Sequence, residues 1–161
     1  YKGTRLTESG NVVAVIILRK HRLWETFLVE KLSFGWEEVH EIAEQLEHIQ
    51  SEELTERLSA FLGFPEFDPH GDPIPNKDGV FPQRDNFTLD RAKPQSIVIV
   101  QGVKDSSTEF LNYIAKLGIQ LGDKIKVQSV EEFDRSLLVS HKNKEYRLGA
   151  QAAANLYIKE L

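Results

Sequence analysis

The chain has 161 residues, with 20 Lys and Arg against 25 Asp and Glu for a formal net charge of −5, and neither Cys nor Met. That length suits one ordinary domain or two small ones. An acidic balance with no Lys/Arg run argues against nucleic-acid binding by electrostatics alone, and the lack of Cys excludes disulfides and thiolate zinc sites. Any metal ligands must come from His, Asp, Glu or Gln. No apolar run approaches the roughly 18 residues of a membrane span, and the N-terminus lacks signal-peptide organisation, so no membrane partner and a cytoplasmic location are expected. Because the chain opens at Tyr1 and contains no Met, it is expected to be part of a longer translation product.

Residues 1–10 are rich in turn formers, with Thr7 a candidate N-cap for the first helix. Residues 11–32 read as that helix despite many β-branched side chains: Val12, Val13, Ile16, Leu23, Trp24, Phe27 and Leu28 recur at the helical period on an arc of about 160°. So broad an apolar stripe is poorly buried by a helical unit of about 60 residues, since small cores rarely supply more than about 3–5 kcal/mol. Dimerisation through this helix is the expected remedy. His21 and Glu25 lie at i and i+4 on the stripe's border, where their side chains can meet; a plain surface ion pair is the competing explanation.

Residues 36–51, WEEVHEIAEQLEHIQS, predict a second helix. At about 100° per residue, with His40 as origin, Glu44 falls near +40°, Glu47 near −20° and His48 near +80°. The four share one stripe between an apolar face and a solvated one. Residues 52–62 predict a third helix, capped by Ser51, with Leu54, Leu58, Phe61 and Leu62 inward and Gly63 at C′. Residues 64–94, with FDPHGDPIPNKDG at their centre, read as an ordered turn and then a linker, His70 being a turn residue.

From residue 96 the pattern changes to short apolar runs: 96–103, 124–130, 136–142, 144–149 and 155–161 read as five strands. A helix at 109–117 and a helical turn at 149–154 interrupt them, and His141 reads as a strand-surface residue. The predicted class is α+β: a helical unit over 7–75, a linker over 76–95 and a small SH3-like barrel over 96–161. The barrel by itself says little about function.

His21, Glu25, His40, Glu44, Glu47 and His48 form a candidate metal site on two adjacent helices. A first-row divalent ion takes about four to six imidazole and carboxylate ligands when thiols are absent, so six candidates suit two ions, or one ion with supporting groups. Carboxylate-rich donors favour Mn²⁺ or Fe²⁺, with Zn²⁺ and Co²⁺ able to bind the same set. A merely solvated acidic helix is the bland alternative. Catalytic readings fit less well. The zincin pattern needs a second His where Glu44 stands, and a di-iron carboxylate site needs four helices and a second Glu-x-x-His pair. No enzymatic activity is expected.

TRLTESG, LRKHRLWETFL, VHEIAEQLEH, DPHGDPIP and the C-terminal strand pattern together resemble the diphtheria toxin repressor (DtxR) group of metal-dependent transcriptional regulators, including its manganese-responsive members. The resemblance implies a helical metal-binding and dimerisation domain, then an SH3-like domain similar to FeoA domains. By position, His21, Glu25 and His40 resemble the family's ancillary metal site, and Glu44, Glu47 and His48 the site whose occupancy controls DNA binding. Glu44 stands where iron-sensing members have Cys, which is closer to the manganese sensors. Asp105 is the candidate ligand from the SH3-like domain, with Glu109 a poorer one. Residues 1–6 resemble the end of a winged-helix wing, the rest of that DNA-reading domain being absent from this sequence. The implied protein is a cytoplasmic homodimeric regulator, a repressor of metal-uptake genes, that binds operator DNA through an upstream winged helix. The alternative is a metal-binding FeoA-like accessory module with no DNA-binding function.

Overall fold

The computed structural model describes residues 6–84 and 87–161, which form two compact units divided between Gln83 and Arg84. The wing assigned to residues 1–6 lies outside the described residues except for Leu6.

In the first unit, α1 (Glu8–Leu32) begins where the Thr7 hydroxyl accepts the Gly10 N–H at 3.1 Å. It starts three residues before the predicted 11–32, because that cap satisfies an orphan donor of the first turn. It ends at Ser33 in the left-handed region (φ 60°), with the Phe34 N–H donating back to the Leu28 carbonyl at 3.1 Å, so a last-turn carbonyl is satisfied around a left-handed residue that is not glycine.

The broad stripe of α1 divides along its length. Leu23 is fully buried in a cluster with Leu58 and Ile74, flanked by Trp24, Phe27 and Leu62. Leu28 packs with Val39 and Ala43, flanked by Phe34, Ile42 and Leu46. Burying each such leucine is worth about 1.5–3 kcal/mol. Val12, Val13 and Ile16, about two to three turns before Leu23, are more than half exposed.

The second helix, α2, is Val39–Leu46, shorter than the predicted 36–51. Trp36 to Glu38 form a turn instead, and the reason is tertiary: the Trp36 carbonyl accepts the His70 Nε2–H at 2.6 Å, whereas in a helix it would accept from residue 40. At the other end the Ile49 N–H closes on the Leu46 carbonyl at 3.1 Å, a three-residue turn that stops the helix.

The third helix, α3 (Glu52–Phe61), is capped by Ser51, whose side chain accepts from Leu54 N, and Gly63 comes after it at φ +76°. Its inward set is smaller than predicted. Leu58 is buried, but Leu54 is 39% and Phe61 66% exposed, because α3 leans on α1 through a narrow stripe. Beyond it, the Ile74 N–H donates to the Glu66 carbonyl at 2.8 Å, bringing Ile74 into the Leu23 cluster.

In the second unit all five predicted strands form: β1 (Ile97–Val103), β2 (Lys124–Val130), β3 (Leu137–His141), β4 (Lys144–Leu148) and β5 (Leu156–Glu160). They make one antiparallel sheet in the order β4-β3-β2-β1-β5. Bulges in β1 at Val100/Gly102 and in β2 at Val127/Ser129 add local bend and twist, as curling a small sheet toward a barrel requires. The core is the inward set Val98, Val100, Ile125, Val127, Leu137, Val139, Leu156 and Ile158, closed by Leu111 and Ile114 of α4 (Thr108–Lys116) and by Ala153 of α5 (Ala150–Ala153). Leu89, in the stretch assigned to a linker over 76–95, is fully buried in this unit. His141 is not a surface residue either: it is buried, with Nε2 2.9 Å from an Asp123 carboxylate oxygen.

Candidate metal centre

Three side chains converge where α1 and α2 cross. Residues 21 and 25 are one helical turn apart on α1, and His40, at the start of α2, faces them because Val39 and Ala43 anchor that helix against Leu28. His21 Nε2 is 3.0 Å from Glu25 Oε1 and 3.1 Å from His40 Nδ1, and His40 Nδ1 is 3.3 Å from the same carboxylate oxygen. Edges of this length belong to an octahedron whose bonds are about 2.1–2.3 Å, the range of divalent-metal bonds to imidazole and carboxylate. The donor set therefore fits one divalent ion, which His21, Glu25 and His40 would hold together.

The support around these donors has the same character. His21 Nδ1 lies 2.6 Å from Glu47 Oε2; a carboxylate only accepts, so Nδ1 donates to Glu47, which leaves Nε2 as the nitrogen whose proton a bound ion would replace. The side chains of His21 and Glu25 are 11% and 3% exposed, whereas that of His40 is 71% exposed, so the site is walled by the core on one side and open on the other. Glu47 thus lies beside His21 at the end of α2. Glu44 and His48 are exposed, and His48 lines a recess of about 210 Å³ with Val13, Ile17 and Lys20. Asp105, in the second unit, accepts the Ser107 N–H at 2.9 Å, which holds its carboxyl below the usual range. Among the described residues, Glu44, His48 and Asp105 join no close group of ligand atoms.

The sequence reading missed a second constellation, Glu25 with Asp68 and His70, all buried. His70 is no ordinary turn residue. Its Nδ1 is 3.5 Å from Glu25 Oε2, its ring stacks on Trp36 at 6.2 Å, and its backbone N–H donates to Asp68 Oδ1 at 2.8 Å. Asp68 Oδ1 also accepts the Asp72 N–H at 2.9 Å, and Oδ2 faces Arg22 Nε at 3.6 Å. The available signal was the Asx-turn at Asp68, which points the next-but-one residue inward, and the apolar Ile74 that pulls the loop onto α1.

Burial lowers the pKa of His21, but the Glu25 and Glu47 carboxylates outweigh it and raise it above the ordinary value. Burial acts likewise on His70, and Glu25, Asp68 and the Trp36 carbonyl push it up to about 9. Burial raises the Glu25 carboxyl, yet His21 and His70 hold it far below the carboxylate range; Asp68 is pushed up by burial and by the Glu25 charge. A histidine pKa raised on folding contributes stability that is full below about 6.5 and lost as pH rises through the folded value. The metal-free chain is therefore expected to lose on the order of 1–2 kcal/mol between pH 6.5 and pH 9. Urea midpoints at the two pH values check this; an unchanged or higher midpoint at pH 9 contradicts it.

Comparison with known proteins gives this geometry a context. Residues 7–76 match the iron dependent repressor metal binding and dimerisation domain, and residues 87–160 the FeoA domain. A solved manganese-dependent transcriptional repressor in complex with manganese is 38% identical, with a TM-score of 0.83 over 100% of this chain and 77% of that one. The diphtheria toxin repressor of Corynebacterium diphtheriae is 26% identical over 170 residues, covering 99% of this chain and 74% of that protein. A probable metal transport system membrane protein of Chlamydia trachomatis is 44% identical over 72 residues, 45% of this chain but 16% of that protein, so the chain spans a small part of the length of that relative. With a manganese-dependent repressor alike along the whole chain, and both domain matches in the expected order, the chain belongs to the diphtheria toxin repressor family of metal-dependent regulators.

Proposed function

We propose that these two domains are the metal-sensing and dimerising part of a transcriptional regulator that represses metal-uptake genes when loaded with Mn²⁺ or Fe²⁺. The observation that carries the reading is the facial set of His21, Glu25 and His40, prearranged between two helices of a repressor-family domain. A bound divalent ion supplies positive charge that holds carboxylate and imidazole groups of α1 and α2 together. Glu25 brings the buried charge, His21 is oriented by Glu47, and exposed His40 leaves room for further ligands, with Asp105 as the second domain's candidate. Glu44, Glu47 and His48 are proposed as the controlling site, completed by groups from outside the described residues. Operator binding is assigned to a winged helix on the N-terminal side. Metal and DNA then favour the same arrangement of the protein, and by linkage each tightens the other's binding.

The same reading makes the protein a cytoplasmic homodimer through the first half of α1, where Val12, Val13 and Ile16 leave an apolar strip more than half exposed. Val12→Glu with Ile16→Glu is expected to turn the dimer into a monomer in sedimentation velocity while leaving the second unit folded; a dimer that survives both changes lies on another face.

Calorimetric titration of Mn²⁺, Fe²⁺ and Zn²⁺ into the chain tests the sensor reading. Gel shifts with the winged-helix-bearing protein, on DNA preceding metal-uptake genes, test the regulator reading. Metal binding without metal-dependent retardation of any such DNA would favour a second reading, a metal-binding module of a transport system. The identity to the chlamydial membrane protein supports that alternative. No described helix is long and apolar enough to cross a membrane.

A further inference from the structure

Arg19 of α1 is buried with its charge only partly matched. Its side chain is 9% exposed, and Nη2 alone is paired, with the Glu56 carboxylate of α3 at 3.1 and 3.3 Å. Among the described residues, Nε and Nη1 are buried with no hydrogen-bond partner. A buried donor left unpartnered bears the whole cost of leaving water, most of all on a charged group. The guanidinium therefore has capacity for a further acceptor, and Glu56, 42% exposed, is free to turn toward water and admit one.

Arg19 lines a recess of about 340 Å³ between α1 and the start of α3. Its charged lining is Arg19, Lys20 and Lys77 against Glu52 and Glu56, an excess of one positive charge in a chain of net charge −5. The helix start adds to that excess. Ser51 accepts the Leu54 N–H on its hydroxyl and the Thr55 N–H on its carbonyl, which leaves the N–H groups of Glu52 and Glu53 without helical acceptors at the positive end of the dipole. Val15 and Ile16 supply an apolar wall. A recess of this volume is at the small end of ligand sites.

We propose that this recess binds a small organic anion, its carboxylate or phosphate group accepting from Arg19 and Lys77 and its apolar body resting on Val15 and Ile16. The arginine fork matches two oxygens of such a group at once, and the apolar wall favours an anion with a short hydrocarbon or aromatic part over a bare ion. The site is distinct from the metal centre, since His21, Glu25 and His40 do not line it. A bound anion ties α1 to α3 and stabilises the helical unit by mass action.

Benzoate, phenyl phosphate, inorganic phosphate and neutral benzamide are titrated into the isotopically labelled, metal-free 161-residue chain. Nuclear magnetic resonance follows the Arg19 Nε–H and the Glu52 and Glu53 amides, and melting gives a second readout. Benzoate or phenyl phosphate is expected to shift these signals saturably and raise Tm, the tighter of the two naming the head group. Benzamide should be silent, and inorganic phosphate should bind at least about tenfold more weakly for want of apolar contact. Arg19→Gln is expected to weaken binding by about tenfold or more, and a change of the exposed Lys77, Lys77→Gln, by about two- to threefold. Thr55 also lines the recess; Thr55→Leu fills it without a change of charge and is expected to abolish binding, which decides the matter if Arg19→Gln fails to fold. Inorganic phosphate binding as well as phenyl phosphate would leave an adventitious ion only and overturn the proposal. So would the lack of a saturable shift with any probe, or affinity unchanged in Arg19→Gln and Thr55→Leu. Binding by this chain that is lost in the winged-helix-bearing protein would mean that another part of that protein fills the recess, and would overturn the small-ligand assignment.

Discussion

Replacing His21 and His40 together by alanine is expected to abolish measurable Mn²⁺ and Fe²⁺ binding at the α1–α2 site, a loss of more than about 100-fold, since even a lost supporting group costs 10–100-fold. The two imidazoles supply two of the three donors that lie 3.0–3.3 Å apart, and a lone Glu25 carboxylate offers an ion no chelation. The variant should remain folded, because Leu23 and Leu28, which hold α1 to its neighbours, are untouched. Calorimetry with circular dichroism on the same sample reads both. Retained tight binding with an intact fold would move the metal elsewhere, to Glu44, Glu47 and His48 first of all. Affinity in the parent is also expected to fall as pH drops below neutrality, because the ion competes with protons for imidazoles, and that of His21 already has a raised pKa.

Leu23→Ala is expected to do the opposite: destabilise the fold by about 3–4 kcal/mol while leaving every ligand atom in place chemically. Leu23 is fully buried between Leu58 of α3 and Ile74 of the loop, so the cavity opens where three segments meet and has little freedom to collapse. It should appear as a lowered urea midpoint of the first unit, with the second unit's transition unchanged because its core is separate. Metal added in excess should recover part of the loss, by the mass action of a ligand that binds only the folded state. A cost under about 1 kcal/mol, far below the usual range for a buried leucine, would mean that the Leu23 cluster does not organise the helical unit.

Leu23 and His21 sit two residues apart, and they show how differently core and site are written in a sequence. Residues 21 and 25 on one helix, and a stripe of His and Glu on the next, are local facts of helical period, so six candidate ligands were legible from spacing, and their division into two sites came from the family resemblance. The five strands were legible for the same reason: each is a short apolar run bounded by turn residues, and the observed bounds differ from the predicted ones by a residue or so at each end. The length of α2 was not legible. Periodicity continued through residues 36–51, but the competing partner of the Trp36 carbonyl is His70, 34 residues away.

The same distance explains His70 and His141. Each looked like a turn or surface histidine because nothing within a few residues gives it a partner, whereas the structure supplies Glu25 and Trp36 to one and Asp123 to the other. Burial of Phe61 failed in the reverse sense. The helix pattern marked an inward face, and only the number of neighbours packed on that face decided how wide it is.

Backbone periods and local chemistry were thus enough to set the order of elements, the division between a helical half and a strand half, and six candidate ligands on two adjacent helices. That His21, Glu25 and His40 come together, and which buried groups lie beside them, was visible only in the folded chain. Hydrogen bonds and charges act over a few ångströms of space, whatever their separation in sequence, and the loop carrying Asp68 and His70 reaches Glu25 only with Ile74 buried beside Leu23.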